Sequence, residues 1–113
     1  MSVKKYIPSR GDVVWMDFSP HAGSEQAGHR PALVLSSLSY NRIGLMLACP
    51  ITSVKKSRPF QVMIKMDKIN GFVLADHMKN QDWRIRSAVF AGKAPKKVLQ
   101  ETLYMISLLL TDD

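Results

Sequence analysis

One cysteine occurs in 113 residues, so no internal disulfide can form and a reducing compartment is expected. That residue, Cys49, lies inside the apolar run LMLACPI, where the expected role is a small core side chain rather than a reactive thiol. No apolar run is long enough to cross a bilayer. The opening MSVKKYIPSRGD is basic but has no apolar h-region, so no secretory signal is read there. A cytoplasmic protein with no membrane partner is expected. The three histidines, His21, His29 and His77, lack the spacing of metal ligands, and no paired carboxylates recur. Neither a metal nor another cofactor is therefore expected. Internal repeats, low-complexity tracts and linkers are also missing, which leaves a single domain over 1–113.

Acidic residues are scarce as well. Nine Asp and Glu stand against 16 Lys and Arg, for a net charge of +7. So basic a small chain favours an anionic partner, with nucleic acid ahead of a membrane surface. Hydrophobic residues make up 46%, enough for a core without metal or disulfide staples.

Gly and Pro fall between short apolar runs, the pattern of a small β-rich domain. DVVWMDF (12–18) reads as a strand, followed by a polar, glycine-containing loop over 19–29. PALVLSS (31–37) reads as a second strand with Pro31 at its first position, where a missing N–H is tolerated. LSYNRIG is a helical turn or a loop. GLMLACPI (44–51) is apolar almost throughout and reads as a central strand, and TSVKKSR (52–58) follows as a basic loop. In PFQVMIKM (59–66), Phe60, Val62, Ile64 and Met66 alternate with Gln61, Met63 and Lys65, the period of a half-buried strand. DKINGF reads as a turn centred on Asn70-Gly71, and FVLADHMKN (72–80) as the next strand. QDWRIRSAVFAGKA fits either a strand or a helix. PKKVLQETLYMISLLL (95–110) reads as a helix with Pro95 in its first turn. Its apolar stripe is Leu99, Leu103, Ile106 and Leu110, widened by Val98 and Leu109. Lys96 and Lys97 oppose the helix dipole, so packing must hold the helix in place. The expected architecture is mainly β (α+β): a small antiparallel barrel or curled sheet with one or two short helices and a C-terminal helix ending near 111.

Ionisable residues crowd the mouth of the second strand, in GSEQAGHRP (23–31). Gly23 and Gly28 let the backbone turn there, and Glu25, His29 and Arg30 lie within a short reach of one another. Arg30 adjoins a rigid proline and a buried strand, so it is better fixed than a residue at a loop tip. A guanidinium binds phosphate oxygens bidentately and is a poor general base. If the second and third strands pair antiparallel, Thr52 comes to the same edge of the sheet. Its hydroxyl could then donate to a phosphate oxygen that Arg30 neutralises. The bland alternatives are a solvated loop and a threonine that closes a turn. Lys55, Lys56 and Arg58 in one loop, with Lys79, Trp83, Arg84 and Arg86 further on, combine cations with an aromatic ring, as single-stranded nucleic acid binding requires. Trp83 suits the core equally well, and His77 is either a proton-transfer group or a surface residue, the latter being the preferred reading. Without a metal, phosphodiester chemistry points to RNA, whose 2′-OH can attack the adjacent phosphorus. Glu25 and His29 are the local candidates for proton transfer.

GSEQAGHRPALVLS, ACPITS and VLADHMKNQDWRIR together resemble the MazF/PemK family of toxin endoribonucleases from type II toxin–antitoxin pairs, and the likeness runs end to end. The resemblance implies an SH3-like barrel, a homodimer and metal-independent cleavage of single-stranded RNA at short sequence motifs. The products would be a 2′,3′-cyclic phosphate and a 5′-OH, and cleavage of mRNA would inhibit translation and growth. Arg30 and Thr52 match the family's catalytic pair, and Glu25 matches a position implicated in activity in some members. Ser53 and Asp76 fall in the matching stretches and join the lysines, arginines and Trp83 as expected RNA contacts. A cognate MazE-like antitoxin with an acidic, extended C-terminal segment would block the site. A CcdB-like gyrase-poisoning toxin, a binding protein on the same scaffold, is the main alternative. That branch carries a tryptophan at its extreme C-terminus, whereas this chain ends SLLLTDD. A non-cleaving RNA-binding barrel is a second alternative, but it leaves the Glu-His-Arg loop unexplained.

Overall fold

The computed structural model describes residues 5–18, 29–57 and 59–111. Glu25, the loop around it and Arg58 lie outside the described residues. Within them one curled, seven-stranded antiparallel sheet carries the fold. Its strands are β1 (Asp12–Asp17), β2 (His29–Val34), β3 (Leu45–Thr52), β4 (Gln61–Lys65), β5 (Asn70–Leu74), β6 (Lys79–Asp82) and β7 (Val89–Lys93). A short helix α1 (Leu38–Asn41) links β2 to β3, a 3-10 turn (Ala75–His77) links β5 to β6, and α2 (Lys96–Thr111) closes the chain. Strand order is β4-β5-β3-β2-β1-β7, with β6 also paired to β3.

The near-continuous apolar runs of β1, β2 and β3 follow from burial on both faces. On one face Val13, Leu33, Cys49 and Ile51 meet Val62, Ile64 and Val73, and Val98 and Ile106 of α2 pack on this side. On the other face Val14, Met16, Ala32, Val34, Met46 and Ala48 form a second cluster, flanked by Phe18 and Trp83. In β4 only Val62 and Ile64 turn inward, as the period-2 pattern requires. Polar groups that enter the interior are paired. Asp12, 2% exposed, accepts hydrogen bonds from the Tyr6 hydroxyl (2.6 Å) and the Ser9 amide (3.0 Å), and its other oxygen meets Lys93 Nζ at 2.5 Å. Asn41, fully buried, donates from Nδ2 to the carbonyls of Pro8 (2.7 Å) and Ser36 (3.1 Å).

Four features differ from the sequence expectation. β2 runs over His29–Val34, so Pro31 is its third residue rather than its first. At Pro31 the strand pairs with Trp15 of β1, while the ladder to β3 begins at Ala32, so the missing N–H is tolerated there. The β4–β5 turn lies at 66–69, where the Met66 amide donates to the Ile69 carbonyl, and Asn70 already pairs with Lys65. The apolar run over 72–80 is not one strand: it breaks at the 3-10 turn so that the chain can leave β5 and pair again along the first half of β3. In α2 the buried residues are Val98, Thr102 and Ile106, while Leu103, Leu109 and Leu110 are exposed. Thr102 can be buried because its hydroxyl donates to the Val98 carbonyl at 2.8 Å. The segment left open in the sequence resolves into β6, a turn over 83–87 and β7.

Candidate active site

The register of β2 and β3 assembles the site. Val34 pairs with Ala48, Leu33 with Cys49 and Ala32 with Pro50. Continuing this register by two residues brings Arg30 opposite Thr52. On the other side of β2, Arg30 pairs with Met16 of β1. Side chains alternate along a strand, so Arg30 shares the face of Ala32 and Val34, away from α2. Arg30 and Thr52 both line a groove of about 580 Å³ on this face. Met16, Phe18, Pro50, Ile51 and Leu74 supply its apolar walls, and Ser53, Lys56, His77, Lys79 and Arg86 its polar ones. Among the described residues no carboxylate lines it. A groove with apolar walls and four cations suits a polyanion whose charges rest on a poorly hydrated surface.

The Thr52 hydroxyl oxygen accepts a hydrogen bond from the Val54 amide at 3.2 Å. The turn-closing role considered from sequence is therefore present, and it also orients the side chain. A hydroxyl that accepts one bond still has its proton to donate. Arg86 is held by β1: its backbone carbonyl accepts from the Asp17 amide at 2.8 Å, and its guanidinium approaches the Asp17 carbonyl at 3.4 Å.

The remaining expected residues divide. His29 follows the opposite parity from Arg30 and lines a neighbouring cavity of about 360 Å³ with Trp15 and Pro31, which Arg30 also reaches. Its Nδ1 lies 2.5 Å from Asp17 Oδ1, and both side chains are 51% exposed. Lys55 and Asp76 are not among the groove-lining residues. Arg84 lies instead over Gly44, with its Nη2 3.5 Å from the Ile43 carbonyl. Trp83 is half-buried against the cluster around Val14, and its indole N–H donates to the Asn41 carbonyl at 2.8 Å, so it serves packing. Cys49 is fully buried with its thiol facing the Ala75 carbonyl at 3.7 Å. Burial, then the charge of Asp76, pushes that thiol up to about 12, which makes it inert at neutral pH.

The sequence reading does not find the apolar walls. His77, weighed from sequence as a proton-transfer group or a surface residue, lines the groove beside Lys79. The signal for the walls was available: Met16, Arg30, Ala32, Pro50 and Thr52 share one parity once the strands are set in register. His77 sits in the 3-10 turn that interrupts the expected strand.

Comparison with known proteins gives the family and supports the fold. The family model described as PemK-like, MazF-like toxin of type II toxin-antitoxin system matches residues 9–110. The chain is 42% identical over 109 residues to the endoribonuclease toxin MazF of Escherichia coli (strain K12), covering 96% of this chain and 98% of that one. It is 36% identical over 107 residues to the endoribonuclease toxin ChpB of the same strain, covering 89% and 92%. Among solved structures, a chain of a MazE-MazF crystal structure from Deinococcus radiodurans superposes with a TM-score of 0.87 at 46% identity, covering 96% of this chain and all of that one.

Proposed function

This chain belongs to the PemK-like, MazF-like toxin family, and from that premise we propose that it is an endoribonuclease toxin that cleaves single-stranded RNA without a bound metal ion. The observation that carries the proposal is the convergence of Arg30 and Thr52 on a groove lined by cations. The RNA backbone runs along Lys56, Lys79 and Arg86, with the scissile phosphate at Arg30. The ribose 2′-oxygen attacks phosphorus and forms the new O–P bond, its proton passing to a base. The bond from phosphorus to the 5′-oxygen breaks, and that oxygen takes up a proton. The products are a 2′,3′-cyclic phosphate and a 5′-OH. Arg30 and the Thr52 hydroxyl stabilise the charge that builds on the non-bridging oxygens. A single such donor contributes about 10²–10³-fold. Glu25, His29 and His77 are the groups available for the proton transfers, which contribute about 10²–10⁴-fold.

Cleavage of mRNA in the cytoplasm would stop translation and growth. A MazE-like antitoxin would lay an acidic, extended segment along the same cations, and the apolar walls would seat its hydrophobic side chains. The exposed Leu103, Tyr104, Leu109 and Leu110 of α2 favour a homodimer. The enzyme proposal is tested with purified protein, single-stranded RNA and EDTA, followed by analysis of the ends. Cleavage leaving cyclic phosphates is expected. Intact RNA in EDTA with activity restored by magnesium, or 5′-phosphate ends, would refute the mechanism. A mass near 12.7 kDa by light scattering at micromolar protein would refute the dimer.

A further inference from the structure

Gly71, in the middle of the β4–β5 hairpin, has no turn to make. Its backbone is not left-handed, and it pairs with Ile64 as an ordinary strand residue. What the position demands is the lack of a side chain. A Cβ here would lie 2.1 Å from the Thr52 carbonyl oxygen, 2.9 Å from the Thr52 carbonyl carbon and 3.2 Å from Ser53 Cα. All three are backbone atoms, so no rotamer change relieves the contact. Ordinary contact begins at 3.4 Å, so β3 and β5 would have to part by more than an ångström at Thr52 itself. β5 meets β3 at Ile51↔Val73 and Thr52↔Phe72, the last rungs before the basic loop. Arg30 stands on β2, which pairs with β3 further back at Ala48, Cys49 and Pro50. β3 lies between β5 and β2, so a Cβ here would push Thr52 toward β2 and change the distance from its hydroxyl to Arg30 without moving Arg30.

We propose that Gly71 is a positioning residue for catalysis: its missing side chain lets β5 press against the Thr52 backbone and set the hydroxyl at the distance from Arg30 that one phosphate requires. This rests on the role given to Thr52 above. Misplacing a reacting group by about 1 Å costs about 10²-fold.

The test is a double-mutant cycle on the full chain, with Gly71→Ala, Thr52→Val and both together, read by RNA cleavage. Gly71→Ala should fold with a cooperative melt and lower kcat by about 10²-fold while KM moves by less than about threefold, because the cations that bind RNA are untouched. In the Thr52→Val background it should cause no further loss. Met63→Gly is the control: Met63 is 59% exposed and pairs with Phe72 on the same hairpin, so it loosens the strands without adding a clash. It should cleave within about threefold of wild type. The proposal is overturned if the Gly71 and Thr52 losses multiply, if Gly71→Ala cleaves normally, if Met63→Gly is equally slow, or if Gly71→Ala does not fold. Normal cleavage by Thr52→Val would overturn the role of Thr52 itself. A slow Thr52→Val beside a normal Gly71→Ala would overturn only the inference about Gly71.

Discussion

Replacing Arg30 with alanine should separate chemistry from binding. Among the described residues four lysine and arginine side chains line the groove: Arg30, Lys56, Lys79 and Arg86. Each phosphate neutralised on a single strand contributes about −0.7 to the slope of log affinity against log salt, so four give about −2.8 and three about −2.1. Binding thus falls moderately and keeps most of its salt dependence. At the proposed scissile phosphate the loss should be larger, because the guanidinium is held at the rim by a paired strand and would act where charge develops. Removing one preorganised donor costs about 10²–10³ in kcat, or about 2.7–4 kcal/mol. Arg30 presents a charged, bidentate fork, so the upper end of that range is expected. Arg30→Lys should fall between, since it keeps the charge and loses the fork. The fold should survive, because Arg30 is half-buried and the core of β2 begins at Ala32. Cleavage of a single-stranded RNA gives the rate. Binding of the same sequence with 2′-deoxyribose at the cleavage position, measured across salt concentrations, gives the slope. Cleavage by Arg30→Ala within about tenfold of wild type would refute the reasoning. So would a loss of binding as large as the loss of rate.

Lys56→Gln should reduce the same salt slope by about 0.7, while Lys55→Gln, outside the groove, should leave it unchanged; equal effects would remove the distinction. Cys49 titrates near 9.0 when unfolded and is pushed up to about 12 in the fold by burial and then by Asp76. The folded state holds its proton longer, so the stability it contributes is complete below pH 9 and is lost as pH rises towards 12. Urea unfolding at pH 8 and pH 10.5 should show a loss of stability about 2 kcal/mol larger in wild type than in Cys49→Ala. The half-buried Tyr6 hydroxyl, raised by desolvation and then by Asp12, adds the same alkaline trend to both proteins and cancels in the comparison. Ser87 is exposed in the 83–87 turn with φ 54°. Ser87→Gly relieves about 1–2 kcal/mol of left-handed strain and adds about 0.5–1 kcal/mol of unfolded-state entropy, so the urea midpoint should rise; a lower midpoint would contradict this.

The sheet was legible where one physical rule acted alone. Alternation at 60–66 finds β4 because only one of its faces is buried. The unbroken apolar run at 44–51 finds β3 because both faces are covered and strands pair along it. Where two uses of one residue type compete, pattern reasoning chose the commoner use. Asn70-Gly71 looks like a hairpin turn, but the glycine is needed for contact with Thr52, so the turn sits at 66–69. In α2, Leu103 is the more apolar residue, yet Thr102 lies in line with Val98 and Ile106 and satisfies its hydroxyl within the helix. Val98, Thr102 and Ile106 form one ridge spaced by four, and that geometry outweighs one residue's hydropathy.

That Arg30 and Thr52 share one groove was legible because β2 and β3 pair antiparallel, which brings the start of β2 and the end of β3 to the same edge of the sheet. The cations were legible as a group but not one by one. Lys55 and Lys56 are adjacent, and Arg84 and Arg86 are two apart, yet one of each pair lines the groove. In loops and turns, backbone hydrogen bonds decide such outcomes. Asp17 holds Arg86 in place, while Gly44 leaves room for the Arg84 side chain. The crowding of charge at the mouth of a buried strand also has a physical reason. Met16, Pro50, Ile51 and Leu74 line the same groove as Arg30 and give it apolar walls. Against such a surface a guanidinium attracts a phosphate more strongly than it would on an open loop. The apolar strands therefore do more than fill the core: they also wall the groove in which the proposed function sets the phosphate.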